Sequence, residues 1–236
     1  MILLLWLVGL SSAGEDFEFA RRLYRDGFYG LAALQFERFL REHSSSPEVP
    51  EALLLRADAL FRSGDWEAAL EGYERFLVRY PDDLSFGEAL WGRARSLSEL
   101  GRHLEAARAF LELYRRLPAG ERAASALLEA ARSFRREGEF DRALETLREL
   151  GRAFPSAGRG EEARYERGLC LEGLGKLREA LREFEGLSSR PEVLRALGRI
   201  ALALGELDRA EEALKRLEED FPKEEATALL AFEMAE

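Results

Sequence analysis

Few residues in this chain are of a type that does chemistry by itself. There are two histidines, His43 and His103, and one cysteine, Cys170. Two imidazoles and one thiol spread along the sequence cannot make a conventional structural zinc site, and one cysteine excludes a disulfide framework. Acidic groups such as Asp82-Asp83 and Glu218-Glu219-Asp220 fall where loops and helix ends are expected, and carboxylates there are solvated. No glycine-rich phosphate loop, nucleophile elbow or metal-ligand spacing occurs. No catalytic residue, metal or cofactor is expected, and the chain does not read as an enzyme.

The three reactive side chains have a simpler reading, because each occupies a slot in an internal repeat. Gly27, Gly64, Gly101, Gly138 and Gly175 are spaced by 37, and Gly205 follows after a shorter step of 30. Five residues after each glycine stands an alanine: Ala32, Ala69, Ala106, Ala143, Ala180 and Ala210. Nine after come Phe36, Tyr73, Phe110, Leu147, Phe184 and Leu214; twelve after come Phe39, Phe76, Leu113, Leu150, Leu187 and Leu217. Seven before stands a small residue: Ala20, Ala57, Ala94, Ala131, Gly168 or Gly198. His103 takes the slot held elsewhere by Tyr29, Trp66 and Phe140. His43 falls where other repeats put Tyr80, Leu117, Phe154 and Phe221, and Cys170 aligns with Ala59, Ser96 and Ser133.

The spacing dictates the elements. Leu53-Ala57-Leu60 and Leu90-Ala94-Leu97 recur at i, i+4 and i+7, one face of a helix. Ala69-Tyr73-Phe76 and Ala106-Phe110-Leu113 describe a second amphipathic helix. The glycine between them ends the first helix in a left-handed conformation. Pro81, Pro118, Pro155 and Pro222, each 17 after its glycine, stop the second helix. Such a hairpin has one apolar face too many, and stacking buries it. The fold expected is all-α: an α-solenoid of about six helical hairpins over residues 15–236. Residues 223–236 form its C-terminal capping helix. The short step to Gly205 falls at Leu187-Ser188-Ser189-Arg190-Pro191 and should tighten that junction.

These residues resemble the tetratricopeptide repeat: small residue, glycine turn, aromatic, alanine, aromatic, proline, in the family's order. Ala57 through Pro81, with Gly64-Asp65-Trp66-Glu67-Ala68-Ala69-Leu70, is the best copy. The period of 37 resembles a bacterial envelope branch. That branch includes the periplasmic protein associated with the Tol–Pal system and the outer-membrane barrel-assembly lipoprotein. The chain departs from the latter in lacking a lipidated cysteine after its first apolar run, and from the former in lacking a heptad segment. It also carries Arg56, Arg93 and Arg167 where the family usually has a leucine, so those stems are expected to snorkel outward.

What the resemblance implies is a protein-binding scaffold whose first helices line a concave groove. The partner-binding residues expected there are Phe17, Arg21, Tyr24, Phe61, Trp91, Arg95, Arg132, Arg135, Tyr165 and Arg199. An apolar ladder beside an arginine ladder suits an extended peptide or an amphipathic helix bearing acidic groups. The formal net charge of −10 excludes a general nucleic-acid binder. That charge is uneven: −6 over residues 1–100, +3 over 101–200 and −7 over 201–236. A basic middle can receive an acidic partner, or another copy's acidic terminus.

The amino terminus sets the compartment. Ile2 to Leu10 is an apolar run, too short to span a bilayer. Small residues at Ser11 and Ala13 suit cleavage of a secretory signal after Ala13. Residues 1–13 are thus expected to be a signal peptide and the protein periplasmic or otherwise exported, with no stable membrane span. Two other function classes remain: a self-assembling component of an envelope complex, joined through its acidic carboxyl end, and a cytoplasmic regulatory adaptor if residues 1–13 are not a signal but a first apolar helix packing on the solenoid end.

Overall fold

The computed structural model describes residues 12–187 and 190–235. Within them the chain is all-α and divides into two compact units, one ending at Leu117 and the other beginning at Pro118. The first unit holds three hairpins: α1 (Ala13–Arg25) with α2 (Tyr29–Glu42), α3 (Val49–Arg62) with α4 (Trp66–Arg79), and α5 (Phe86–Glu99) with α6 (His103–Arg116). The second holds α7 (Ala123–Arg136) with α8 (Phe140–Ala153), the single turn α9 (Pro155–Gly158), α10 (Glu161–Gly173) with α11 (Leu177–Phe184), and α12 (Pro191–Leu204) with α13 (Leu207–Asp220). It is closed by α14 (Glu225–Ala235), which packs on α12 and α13. Six hairpins and a capping helix are the expected architecture.

Every hairpin turns in the same way. The six repeat glycines have φ between +71° and +88°, the left-handed region that a side chain resists by about 1–2 kcal/mol. The amide after each glycine reaches back to the last turn of the first helix. Phe28 N–H bonds Leu23 O at 2.9 Å, Asp65 N–H bonds Leu60 O at 3.0 Å, and Glu206 N–H bonds Ala201 O at 2.9 Å. This is a Schellman closure, which satisfies carbonyls the helix would otherwise leave unpaired.

The alanine register is fully buried at all six positions, and Phe36, Phe39, Tyr73, Phe76, Phe110 and Phe184 are at most 2% exposed. Burying each such ring stabilises by about 1.5–3 kcal/mol. Small residues on the facing helix give these rings room. A Cβ added at Gly92 would meet the Tyr73 ring at 2.2 Å, and one at Gly168 would meet Phe184 at 2.6 Å.

The shortened repeat also has a physical form. The second helix of the fifth hairpin, α11, has 8 residues where α8 and α13 have 14. It ends at Phe184 and leaves through Gly186, whose φ of +76° is a left-handed exit that no other second helix uses.

The expected signal lies outside the described residues as far as residue 11. Ser12 and Ala13 are described, as the N-cap and first residue of α1. The Ser12 hydroxyl accepts the Glu15 amide at 3.2 Å while the Glu15 carboxylate accepts the Ser12 amide at 3.0 Å, a capping box.

Candidate partner-binding face

The ten expected contact residues sit on first helices, but the structure gives them unlike roles. Phe17 is 4% exposed and packs against Phe36 and Phe39 at ring distances of 6.0 and 5.5 Å. It is core, a correction to its place in the groove, because α1 turns that position toward α2. Phe61 is also buried, at 9%. The other eight are partly exposed.

The arginine ladder is largely answered from within. Within each unit, first helices are joined by a rung from the residue three before one turn glycine to the residue six before the next. In the first unit the Tyr24 hydroxyl donates to Asp58, and the Arg95 guanidinium lies 4.2 Å over the Phe61 ring. In the second, Arg199 grips Glu172 with two bonds of 2.7 Å. Leu169 offers no charge at that position, so Arg135 instead pairs with Glu166 at 2.7 Å, and Arg132 joins it at 2.9 Å. The Glu166 side chain is 5% exposed. Burial works against the Arg132 charge, but the nearby Glu129 and Glu166 carboxylates more than offset it and raise the guanidinium's pKa. Arg21 pairs with Glu18 at 2.9 Å and Glu51 at 3.8 Å.

Arg95 differs. Among the described residues its guanidinium contacts the Phe61 ring and no carboxylate. The ring supports a cation without neutralising it. Trp91, one turn earlier on α5, is partly exposed and packs edge-on against Phe110 at 5.2 Å. Trp91 therefore presents a partly exposed aromatic face beside the unmatched charge of Arg95, which covers the buried Phe61 ring.

Asp58, which takes the ladder position in the second hairpin, anchors a network. It accepts from Tyr24, from Tyr73 at 3.3 Å and from Arg62 at 2.6 Å. Burial, then Asp58, pushes the Tyr24 phenol up to about 12, and the same causes raise Tyr73 further.

A cleft of about 340 Å³ opens on the first-helix face of the second unit, lined by Tyr165, Leu169, Arg195, Arg199, Glu224 and Glu225 among others. Both arginines are engaged, Arg195 by Glu233 and Arg199 by Glu172, and Glu192 adds a third acidic group to the lining. This cleft brings Tyr165 and Arg199 together as expected, yet it is no basic pocket. Its own acids outnumber its arginines.

Elsewhere, Arg56, Arg93 and Arg167 do not simply snorkel. They reach Glu37 at 3.5 Å, Glu112 and Glu183 at 2.9 Å. Cys170 is buried, and burial, then Glu166, raises its thiol to about 12. Sequence reasoning missed a contact of His43, whose Nε2 lies 3.0 Å from the Asp16 carboxylate. Glu42 lies close by but is held by Arg38 at 3.0 Å and Arg41 at 3.6 Å. The His43–Asp16 hydrogen bond links the C-terminal end of α2 to the first turn of α1. The signal for it was visible: Asp16 stands where other hairpins carry Leu53, Leu90, Leu127 and Leu194.

Comparison with known proteins agrees with this architecture. Family models described as tetratricopeptide repeat match residues 17–83, 92–158, 128–187 and 171–231. No curated protein matches. Among solved structures, PilW, a widely conserved type IV pilus biogenesis factor, is similar, with a TM-score of 0.71 at 22% identity over 93% of this chain and 98% of its own. Pseudomonas aeruginosa pilF has a TM-score of 0.65 at 16% identity, over 94% and 97% of the two chains. YrrB, a repeat protein with an unusual peptide-binding site, has a TM-score of 0.61 at 20% identity, over 85% and 97%. These likenesses establish the fold.

Proposed function

The chain belongs to the tetratricopeptide repeat family, and on that premise we propose that it is a non-catalytic scaffold of the bacterial cell envelope. It holds an extended peptide or partner helix on the first-helix face of its first unit. Proteins of this fold bind other proteins through repeat surfaces. The observation that carries the reading is Arg95. Arg21, Arg132, Arg135 and Arg199 of the expected ladder spend their charge on neighbouring glutamates. Arg95 keeps its charge available over the Phe61 ring beside Trp91. A carboxylate of the partner is its natural complement, and a partner side chain against Trp91 adds apolar contact.

Export follows from the apolar run at Ile2 to Leu10 and the small residues that precede the acidic start of the first helix. The likeness to PilW and pilF supports an envelope setting. Affinity capture from envelope extract with native protein, Arg95→Glu and the exposed second-helix control Arg108→Glu tests the reading. Loss of a partner with Arg95→Glu alone supports it, and equal recovery by all three refutes it. Mass measurement of the native protein tests export, which retention of Met1 in a cytosolic fraction refutes.

A further inference from the structure

Within each unit, a hairpin presents to the one before it a surface made by the residues eight before, four after and seven after its glycine. Three seams show this. In the second hairpin, Arg56, Ala68 and Glu71 face Glu37, Leu40 and Arg41 across a cleft. In the fifth, Arg167, Glu179 and Arg182 face Leu144 and Arg148. In the sixth, Leu197, Arg209 and Glu212 face Leu181 and Glu185. These surfaces are rich in charge.

The first hairpin has no described hairpin before it, and its version of this surface is apolar. The three positions are Phe19, Leu31 and Leu34, which are 45%, 54% and 60% exposed. Phe28, 56% exposed, extends the patch at a position held elsewhere by Asp65, Arg102, Glu139, Lys176 and Glu206. Terminal repeats of a stacked fold ordinarily carry a polar outer face. This one does the reverse, and four large side chains about half exposed leave on the order of 400 Å² of apolar surface.

We infer that this end of the molecule is a homodimer interface, in which the first hairpins of two copies meet head to head about a two-fold axis. The patch is self-complementary, since it presents apolar groups and no charge at its four positions. Two such patches with their polar rims bury roughly 1,000–1,200 Å², the low end for a specific interface. Coverage of the patch by the chain's own Ile2 to Leu10 run would keep the protein monomeric, an outcome that the oligomeric state reads directly.

The test is sedimentation velocity on the protein as processed by its host, over the micromolar range, at low and high salt. The comparison is Leu31→Glu/Leu34→Arg, which installs the residue types of Glu179 and Arg182 from the fifth hairpin, so the fold accommodates them. Native protein should pass from monomer to dimer with rising concentration at both salts, because apolar contact is not screened. The double variant should remain monomeric with unchanged circular dichroism. A second probe is Leu31→Cys, which should form a disulfide-linked dimer under mild oxidation while buried Cys170 does not react. A native monomer throughout, a dimer that high salt dissolves, or a double variant that dimerises as native does overturns the inference. None of these results bears on Arg95, so the partner-binding reading stands or falls separately.

Discussion

Replacing Glu166 with Gln should open the second unit. Its carboxylate, 5% exposed, receives Arg132 at 2.9 Å and Arg135 at 2.7 Å. Removing one member of a buried ion pair costs about 3–5 kcal/mol, because the remaining charge is left uncompensated. Here the two guanidiniums are 28% and 25% exposed and regain some water, and Arg132 keeps Glu129 at 2.7 Å. The expected loss is therefore about 2–3 kcal/mol. Cys170, one turn further along α10 and fully buried, is a built-in reporter. Thiol reagent reaches it only when the unit opens, so its modification rate under native conditions follows the opening equilibrium. A loss of 2–3 kcal/mol corresponds to a rate increase of about 30- to 150-fold. The thiol ionises from the opened state in both proteins, so its native pKa does not bias the comparison. A rate within twofold of native would mean that the pair contributes nothing, and the assignment of these arginines to internal pairing would be wrong.

Three further outcomes follow from the same geometry. Gly92→Ala places a methyl group 2.2 Å from the Tyr73 ring, so the first unit should lose about 1–3 kcal/mol, read as an earlier urea transition in Trp fluorescence. Gly64→Ala forces a side chain into φ +88° and should cost about 1–2 kcal/mol in the same assay. The Tyr24 phenol holds its proton more tightly folded than unfolded, with a native value of about 12 against 10.0. The folded state then binds more protons than the unfolded between those values, so stability is intact below pH 10.0 and falls toward 12. Thermal midpoints across that window should decline less steeply for Tyr24→Phe. An equal slope refutes the Tyr24–Asp58 contact.

Much of the fold was legible because it repeats. The turn glycines, the buried alanines and the ring registers each recur at a fixed offset, and the chain has one way to satisfy all of them at once. The fifth hairpin was legible as a deletion, though not as a helix cut to 8 residues with a glycine exit. The face was legible only in part. Periodicity placed Arg95 and Arg132 at the same offset, yet one is unmatched and the other clamped. The difference lies in the adjacent first helix, which offers Phe61 to one and Glu166 to the other. A single-repeat pattern cannot register a pairing between residues 34 apart. Phe17 escaped for a related reason: its position is partly exposed where Trp91 and Tyr165 stand and buried against Phe36 and Phe39 in the first hairpin.

The claim that the first-helix face around Arg95 receives the partner is most directly tested by crosslinking in growing cells. A photoreactive benzoylphenylalanine replaces Trp91 in one strain and exposed Arg108, on the second helix of the same hairpin, in another. The account predicts a discrete adduct from position 91 that disappears when Arg95→Glu is added, and no such adduct from position 108. An adduct from position 108 alone, or one from position 91 that survives Arg95→Glu, contradicts it.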